Sequence, residues 1–493
     1  MTDLTNPLEQ LISTPLTSLA DILRFWSSRT PHRPYLFSPT ANLSYGEVWD
    51  RVAKIACFLR ADPKIQNESV LAICVLNAEH SIYFIWASLA LGICLAFVPQ
   101  TRDPSVLQGH MKTAGATLLL TDIPMLLDSP FAYSVSDLLA AIDGEIQRPA
   151  LSVAPASLAR SPAFILPTSG TMGEPKWVQL SQGQFLQSIL ALYRMGQLDR
   201  AVDRFVYITP PLSHSYGLST FLEYSFSGSA IAVASDFSPL RMMGELAQKE
   251  LSQQITALEG VPDFYRLLSK FANKVRLPAL HHIGCGGGAL DGAAVEWLSS
   301  VYPTLSCSIR YGLTETPSVV AYNVVTLPYA DRWPISGKVL PIYEVLIVGE
   351  SGQPLPEGQE GEIWLKGECL GLPYLGDRSP QSEYFATGDL GYFDSPQSLV
   401  VTGRKSLFIK HKGFRLSPEQ IESVLAGLAG ILDCRVSSQN SELVAEVVSP
   451  NHAHTMEEIV AFLTARLPPY AIPSSIRFVE RLPRTASGKL ERH

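Results

Sequence analysis

The chain has 493 residues, 46% hydrophobic and 17% charged, which is ordinary for a globular protein and too long for one compact core. A net charge of −8 excludes binding driven by counterion release from nucleic acid. Seven cysteines, at positions 57, 74, 94, 285, 307, 369 and 434, never take Cys-x-x-Cys spacing, which argues against a zinc or redox centre and for reduced thiols in a cytoplasmic protein.

The N-terminal "MTDLTNPLEQ" lacks the basic n-region and apolar core of a secretory signal. "VLAICVL" (Val70 to Leu76) has strand character. The stretch Ile82 to Val98, "IYFIWASLALGICLAFV", carries no charge over 17 residues and imitates a membrane span at the short limit. Gly92 divides it, however, into a helical piece and a short β-rich piece ending at Pro99, so we expect no span but a strand–helix–strand unit of a buried parallel sheet. The alternation continues with strands at Ala163–Thr168, Phe205–Pro211 and Ala230–Asp236, and a helical pattern at Gly183–Met195. It predicts an α/β architecture with doubly wound sheets.

From about Val339 the texture changes. "YEVLIV", "GEIWLKG" and "LVVTG" are short strands broken by Gly, Pro and Asp, which reads as a small β subdomain over about 339–403. Beyond it a compact α+β pattern follows: a helix at Pro418–Leu428, a strand at Leu443–Val448, a helix at Met456–Leu467 and a strand at Ile476–Val479. The expected organisation is a large N-terminal domain, 1–403, and a small α+β C-terminal domain, 404–493.

Between two apolar runs stands "ILPTSGTMGEPKWVQLS", Ile165 to Ser181. Thr168, Ser169, Gly170, Thr171 and Gly173 put hydroxyls and exposed amides on one loop, and glycine lets a ligand approach the backbone closely. Lys176 adds a mobile positive charge, so the combination suits a polyphosphate. It is not a Walker loop, because that motif needs Gly-Lys-Ser/Thr beginning five residues after the first glycine, and Pro175 stands five after Gly170. "IGCGGGAL" (Ile283 to Leu290) holds Gly-x-Gly-x-x-Ala, but no acidic residue lies about twenty positions on, so a dinucleotide fingerprint is a poor reading. Taken alone, a lysine after Ser-Gly near position 489 reads as a solvated tail residue.

Five stretches together change these readings: "TSGTMGEPK", "YGLTETP" (Tyr311 to Pro317), "YFATGDLGYF" (Tyr384 to Phe393), "GRKSLFIKHKGFRLSPEQIES" (Gly403 to Ser423) and "LPRTASGKLER" (Leu482 to Arg492). In order and spacing the chain resembles the adenylate-forming superfamily of acyl- and aryl-CoA ligases, carrier-protein-loading adenylation enzymes and beetle luciferases. The resemblance implies an acid–thiol ligase: a carboxylate and ATP give an acyl-adenylate and pyrophosphate, then a thiol attacks. It implies ATP and Mg²⁺, with CoA or a phosphopantetheinyl carrier protein as acceptor, a small carboxylic acid as substrate, and a C-terminal domain that moves between the two steps.

The same resemblance assigns roles. Thr168, Ser169, Gly170, Thr171, Gly173 and Lys176 would hold phosphates; Gly288, Tyr311 and Gly312 would flank adenine; Asp389 and Arg404 would meet the ribose. Thr314 would touch the α-phosphate, and Glu315, with Thr171, would serve Mg²⁺ as a hard oxygen ligand. Lys489 would neutralise charge at the α-phosphate during acyl-adenylate formation. Lys410 would act on the second-step face, with Gly413 and Phe414 lining the thiol path. His214 and Ser215, from "PPLSHSYGLS", and Gly286, Gly287 and Gly288 would form the acid pocket, with His214 gating the carboxylate.

Relatives that activate α-amino acids commonly hold aspartate where this chain has Ser215. A buried ammonium without a counter-charge costs several kcal/mol, so an uncharged acyl or aryl chain is expected. The alternatives are a freestanding amino-acid adenylation enzyme, a nucleotide-binding member without catalysis, and a luciferase-like oxidase. Ser406 at the hinge, Trp177 after the loop lysine, and Gln182 where histidine is common depart from the family pattern.

Overall fold

A computed structural model of the chain describes all residues except 1–6, 39–41, 66–68, 76–77, 100–102, 130, 144–160, 169–175, 197–203, 236–238, 272, 289, 291, 318, 328–336, 378–381, 406–408, 412–413, 417, 429, 440–441, 450–453, 468–470, 485–489 and 491–493. The charge-free segment resolves as expected. A helix Ala78–Leu91 is buried almost throughout, and a strand Cys94–Phe97 follows. Gly92 between them has φ +71°, a left-handed turn that stops the helix at little cost only because it lacks a Cβ. Among the described residues no helix is long and apolar enough to cross a membrane.

Two large sheets carry most of the strands up to Arg404. The six-stranded sheet runs Ala132–Ser134, Leu118–Thr121, Val70–Cys74, Cys94–Phe97, Pro162–Pro167, Trp177–Ser181. Its pairs are parallel up to the last, where Pro162–Pro167 and Trp177–Ser181 run antiparallel across the lysine-bearing loop. Ser181 then caps the helix Gln182–Arg194: its hydroxyl accepts from the Gln184 amide, while the Gln184 side chain returns to the Ser181 amide.

The second sheet has thirteen strands. Pro34–Phe37, Ala230–Val233, Phe205–Ile208, Ala257–Gly260, His282–Gly286 and Ser306–Tyr311 form a parallel half, edged by Asn42–Ser44 antiparallel to Pro34–Phe37. The sheet then continues antiparallel through Ala321–Thr326, Gly337–Val339, Ser398–Arg404, Phe385–Ser395, Gly361–Lys366 and Glu344–Val348. The strands of 339–403 are thus hydrogen-bonded into the same sheet that carries the parallel strands.

The C-terminal segment contributes a hairpin, Ile409–His411 with Phe414–Leu416, and a three-stranded sheet of Asp433–Gln439, Glu442–Val448 and Ser475–Phe478. Helices Pro418–Ala426 and Met456–Thr464 pack on it around a core of its own, with Leu425, Leu443, Ile459 and Leu463 at the centre.

Candidate active site

Parallel strands that lie side by side deliver the expected site residues from their carboxyl ends, the usual place for a ligand crevice in an open α/β sheet. After Phe205–Ile208 comes Thr209 to Ser215, after Ala257–Gly260 comes Val261 to Asp263, after His282–Gly286 come Gly287 and Gly288, and after Ser306–Tyr311 comes Gly312 to Glu315. Gly286 stands directly beside Arg310 in the register, so the glycine run and the Tyr311–Glu315 turn are neighbours.

Near the lysine-bearing loop, the Thr168 amide donates to the Lys176 carbonyl at 2.8 Å and closes the loop at its base. The Lys176 ammonium lies 4.8 Å from the centre of the Tyr374 ring, a cation–π contact. The Tyr374 hydroxyl in turn donates to Glu315 Oε1 at 2.6 Å. Burial, then the Glu315 charge, push the Tyr374 phenol well above its ordinary range, so it stays a neutral donor. The segment around Tyr374 is strapped to both sheets. The Gly371 amide donates to the Glu315 carbonyl at 2.6 Å, Leu372 to the Gln179 carbonyl at 3.0 Å, and Leu375 to the Trp177 carbonyl at 2.9 Å. Sequence reasoning did not single out Tyr374, since no spacing marks it; only the fold brings residue 374 between residues 176 and 315.

A second group forms where Phe385–Ser395 pairs with Ser398–Arg404. Asp389 and Arg404 are register partners, with Arg404 Nε 3.5 Å from Asp389 Oδ1. Tyr311 donates its hydroxyl to Asp389 Oδ2 at 2.9 Å. Burial and then the Asp389 charge raise the Tyr311 phenol far above its usual range. A carboxylate accepts about four hydrogen bonds, so a group of this kind can serve more than one partner at once.

His214 is the N-cap of the helix Ser215–Phe226, and its carbonyl accepts from the Leu218 amide at 2.9 Å. Only glycine fits at 217, because a Cβ there would stand 2.2 Å from the Pro211 carbonyl oxygen. Ser215 and Tyr216 open the helix and are half-buried, whereas Gly287 and Gly288 are exposed. The space that the glycine run would leave is partly used: a Cβ on Gly286 would meet the Tyr216 ring at 3.1 Å, and one on Gly288 would meet Pro262 at 3.3 Å. Tyr216 was not among the residues expected from sequence, although it follows Ser215 directly.

The two departures near the loop have structural work. Trp177 is buried and packs edge-on to His110. Gln182 is buried, accepts from Ser18 Oγ at 2.9 Å and the Leu19 amide at 2.8 Å, and donates to the Leu89 carbonyl at 3.2 Å. Arg484, five residues before Lys489, bridges Asp263 at 2.8 Å and Asp433 at 2.5 Å, tying the C-terminal segment to the helix Pro262–Lys270 beside Gly288. Ser169, Gly170, Thr171, Gly173, Ser406, Gly413 and Lys489 lie outside the described residues, as do the side chains of Lys410 and Phe414.

A family model described as AMP-binding enzyme matches residues 23–375, and one described as AMP-binding enzyme C-terminal domain matches 420–489. A probable CoA ligase of Humulus lupulus is 26% identical, over 98% of this chain and 93% of its own. The peroxisomal OPC-8:0-CoA ligase 1 of Arabidopsis thaliana is 26% identical with the same coverage, 98% and 93%. Among solved structures, o-succinylbenzoate CoA synthetase of Bacillus subtilis with its acyl-adenylate intermediate superposes with a TM-score of 0.80 at 23% identity, covering 96% of each chain.

Proposed function

This chain belongs to the AMP-binding enzyme family, and we propose that it joins a carboxylic acid to CoA through an acyl-adenylate, with the roles that follow. The single observation that carries the reading is the convergence of two groups on one turn. Lys176, Tyr374 and Glu315 gather at one end of Tyr311–Glu315, and Tyr311, Asp389 and Arg404 at the other. A cation beside a hard carboxylate suits polyphosphate. An acceptor-only carboxylate braced by a phenol and a guanidinium suits a ribose diol.

In the first step a carboxylate oxygen of the acid attacks the α-phosphorus of ATP, and the bond to the pyrophosphate oxygen breaks. Lys176 holds the phosphates and balances their charge. Tyr311 and Arg404 keep Asp389 aimed at the ribose hydroxyls, so the α-phosphate is fixed relative to the acid. Among the described residues no cluster of three metal-ligating side chains exists, so an ion here would be held by Glu315 together with the phosphates themselves, as Mg²⁺ commonly is. When bound, Mg²⁺ supplies charge neutralisation at the phosphates. Lys489 is assigned the developing charge at the α-phosphate. In the second step the thiol sulfur attacks the acyl carbon and AMP leaves, with residues 404–493 turning the face that carries Lys410, Gly413 and Phe414 to the cleft. Ser215 favours an acid without an ammonium group, which sets aside an amino-acid adenylation enzyme.

The test is pyrophosphate release across a panel of acids, with and without CoA, and with a phosphopantetheinylated carrier protein as a separate arm. Release that depends on the acid, and thioester that depends on CoA, are expected. Release independent of every acid would overturn the reading.

A further inference from the structure

We infer that a buried ionic cluster behind Tyr216 plugs the acid pocket and restricts the enzyme to compact, flat acids, excluding long aliphatic ones; the inference rests on the acid-activating reading above. Arg310 Nη1 donates to Glu223 Oε2 at 2.6 Å, and Nη2 to Glu259 Oε1 at 3.4 Å. Tyr224 donates to the same Glu259 oxygen at 2.9 Å, and Tyr216 to the other at 2.9 Å. Glu259 is 0% exposed, Glu223 1% and Arg310 6%. The guanidinium also lies 5.3 Å from the Tyr322 ring centre and 6.0 Å from that of Tyr216.

The cluster stands where a long chain would have to go. Gly284 and Gly286 are two apart on one strand, so they share a face. Beyond Gly286 on that face lies the Tyr216 ring; at Gly284 a Cβ would be 2.0 Å from Glu259 Oε2. Along the helix Ser215–Phe226, Tyr216 and Glu223 are two turns apart on one side. Inward along strand and helix alike, the path leads from the pocket to Tyr216 and then to charge. From Gly286 to Gly284 is only about 7 Å of strand.

A methylene buried in apolar surroundings gains about 0.8 kcal/mol. Here it would displace Tyr216 and strip a donor from a fully buried carboxylate, which costs more than one methylene returns. Burial pushes Glu223 upward, against the pull of Arg310. Glu259 holds the Tyr216 hydroxyl at 2.9 Å, and a ring-sized acyl group stops at Tyr216 and lies against it.

The experiment compares kcat/KM for benzoate, cinnamate, hexanoate, octanoate and dodecanoate by pyrophosphate release. The wild type is expected to prefer benzoate or cinnamate to dodecanoate by about 100-fold or more, chiefly in KM. Tyr216→Ala should narrow that ratio by raising activity on octanoate and dodecanoate. Glu223→Leu, Glu259→Leu and Arg310→Leu combined should narrow it further, because a buried ion cluster can be exchanged for apolar residues without loss of folding. Should that triple variant prove insoluble, Tyr216→Ala decides alone. A wild type that handles dodecanoate as well as benzoate, or a Tyr216→Ala that leaves the ratio unchanged, overturns the plug. Absence of activity with every acid would instead overturn the proposed function.

Discussion

Asp389→Ala should erase the enzyme's ability to tell ATP from 2′,3′-dideoxy-ATP. Its carboxylate is held by Tyr311 at 2.9 Å on one oxygen and lies 3.5 Å from Arg404 on the other, with its side chain 13% exposed. This carboxylate is the group assigned to the two ribose hydroxyls. A hydrogen bond to a charged group contributes about 1.5–3 kcal/mol, so two partly exposed ones give roughly 3 kcal/mol, about 100-fold in kcat/KM. The assay is pyrophosphate exchange with both nucleotides in wild type and variant, run as a double-mutant cycle in which the ligand supplies one mutation. The wild type should prefer ATP by about 100-fold, and the variant by no more than about 5-fold. If the variant loses activity equally with both nucleotides, Asp389 does not read the ribose, and the placement of the nucleotide is wrong.

Tyr374→Phe keeps the ring under Lys176 and removes the donor to Glu315; kcat/KM for ATP should fall about 10-fold, with a raised Mg²⁺ requirement in a metal titration and an unchanged acid profile. Lys489→Ala should abolish acyl-adenylate formation by a hundredfold or more yet leave thioester formation from synthetic acyl-adenylate near normal, since an ammonium matters where negative charge builds. A bulky residue at Gly413 should do the reverse, and equal damage to both half-reactions in both variants would sink the two-face account. Gln182→Ala leaves the buried Leu19 amide without its acceptor, so urea unfolding should show a loss of about 1–3 kcal/mol with little change in kcat.

The parallel strands and their helices were legible because buried strands carry continuous apolar runs, and Gly92 marked the end of the helix Ala78–Leu91. That the strands of 339–403 join the thirteen-stranded sheet was not, since Gly337–Val339 is a three-residue strand whose pairing with Ser398–Arg404 leaves no local pattern. Tyr311, Glu315, Asp389 and Arg404 could be named from short motifs whose residues lie close in sequence. Tyr374, Glu223, Glu259 and Arg310 could not, because their hydrogen-bond partners are 35 to 87 residues away and each alone reads as an ordinary aromatic or charge. Gln182 looked like a departure in a catalytic loop and is a buried anchor for Ser18 and Leu19.

The most direct test of acid activation through an adenylate follows one oxygen atom. The best acid of the panel is labelled with ¹⁸O in both carboxylate positions, turned over with ATP and CoA, and the products are weighed by mass spectrometry. Attack of the carboxylate on the α-phosphorus, followed by thiol attack on the acyl carbon, leaves one ¹⁸O in AMP and none in pyrophosphate. Label in the pyrophosphate or in inorganic phosphate, or AMP without label, would contradict the acyl-adenylate.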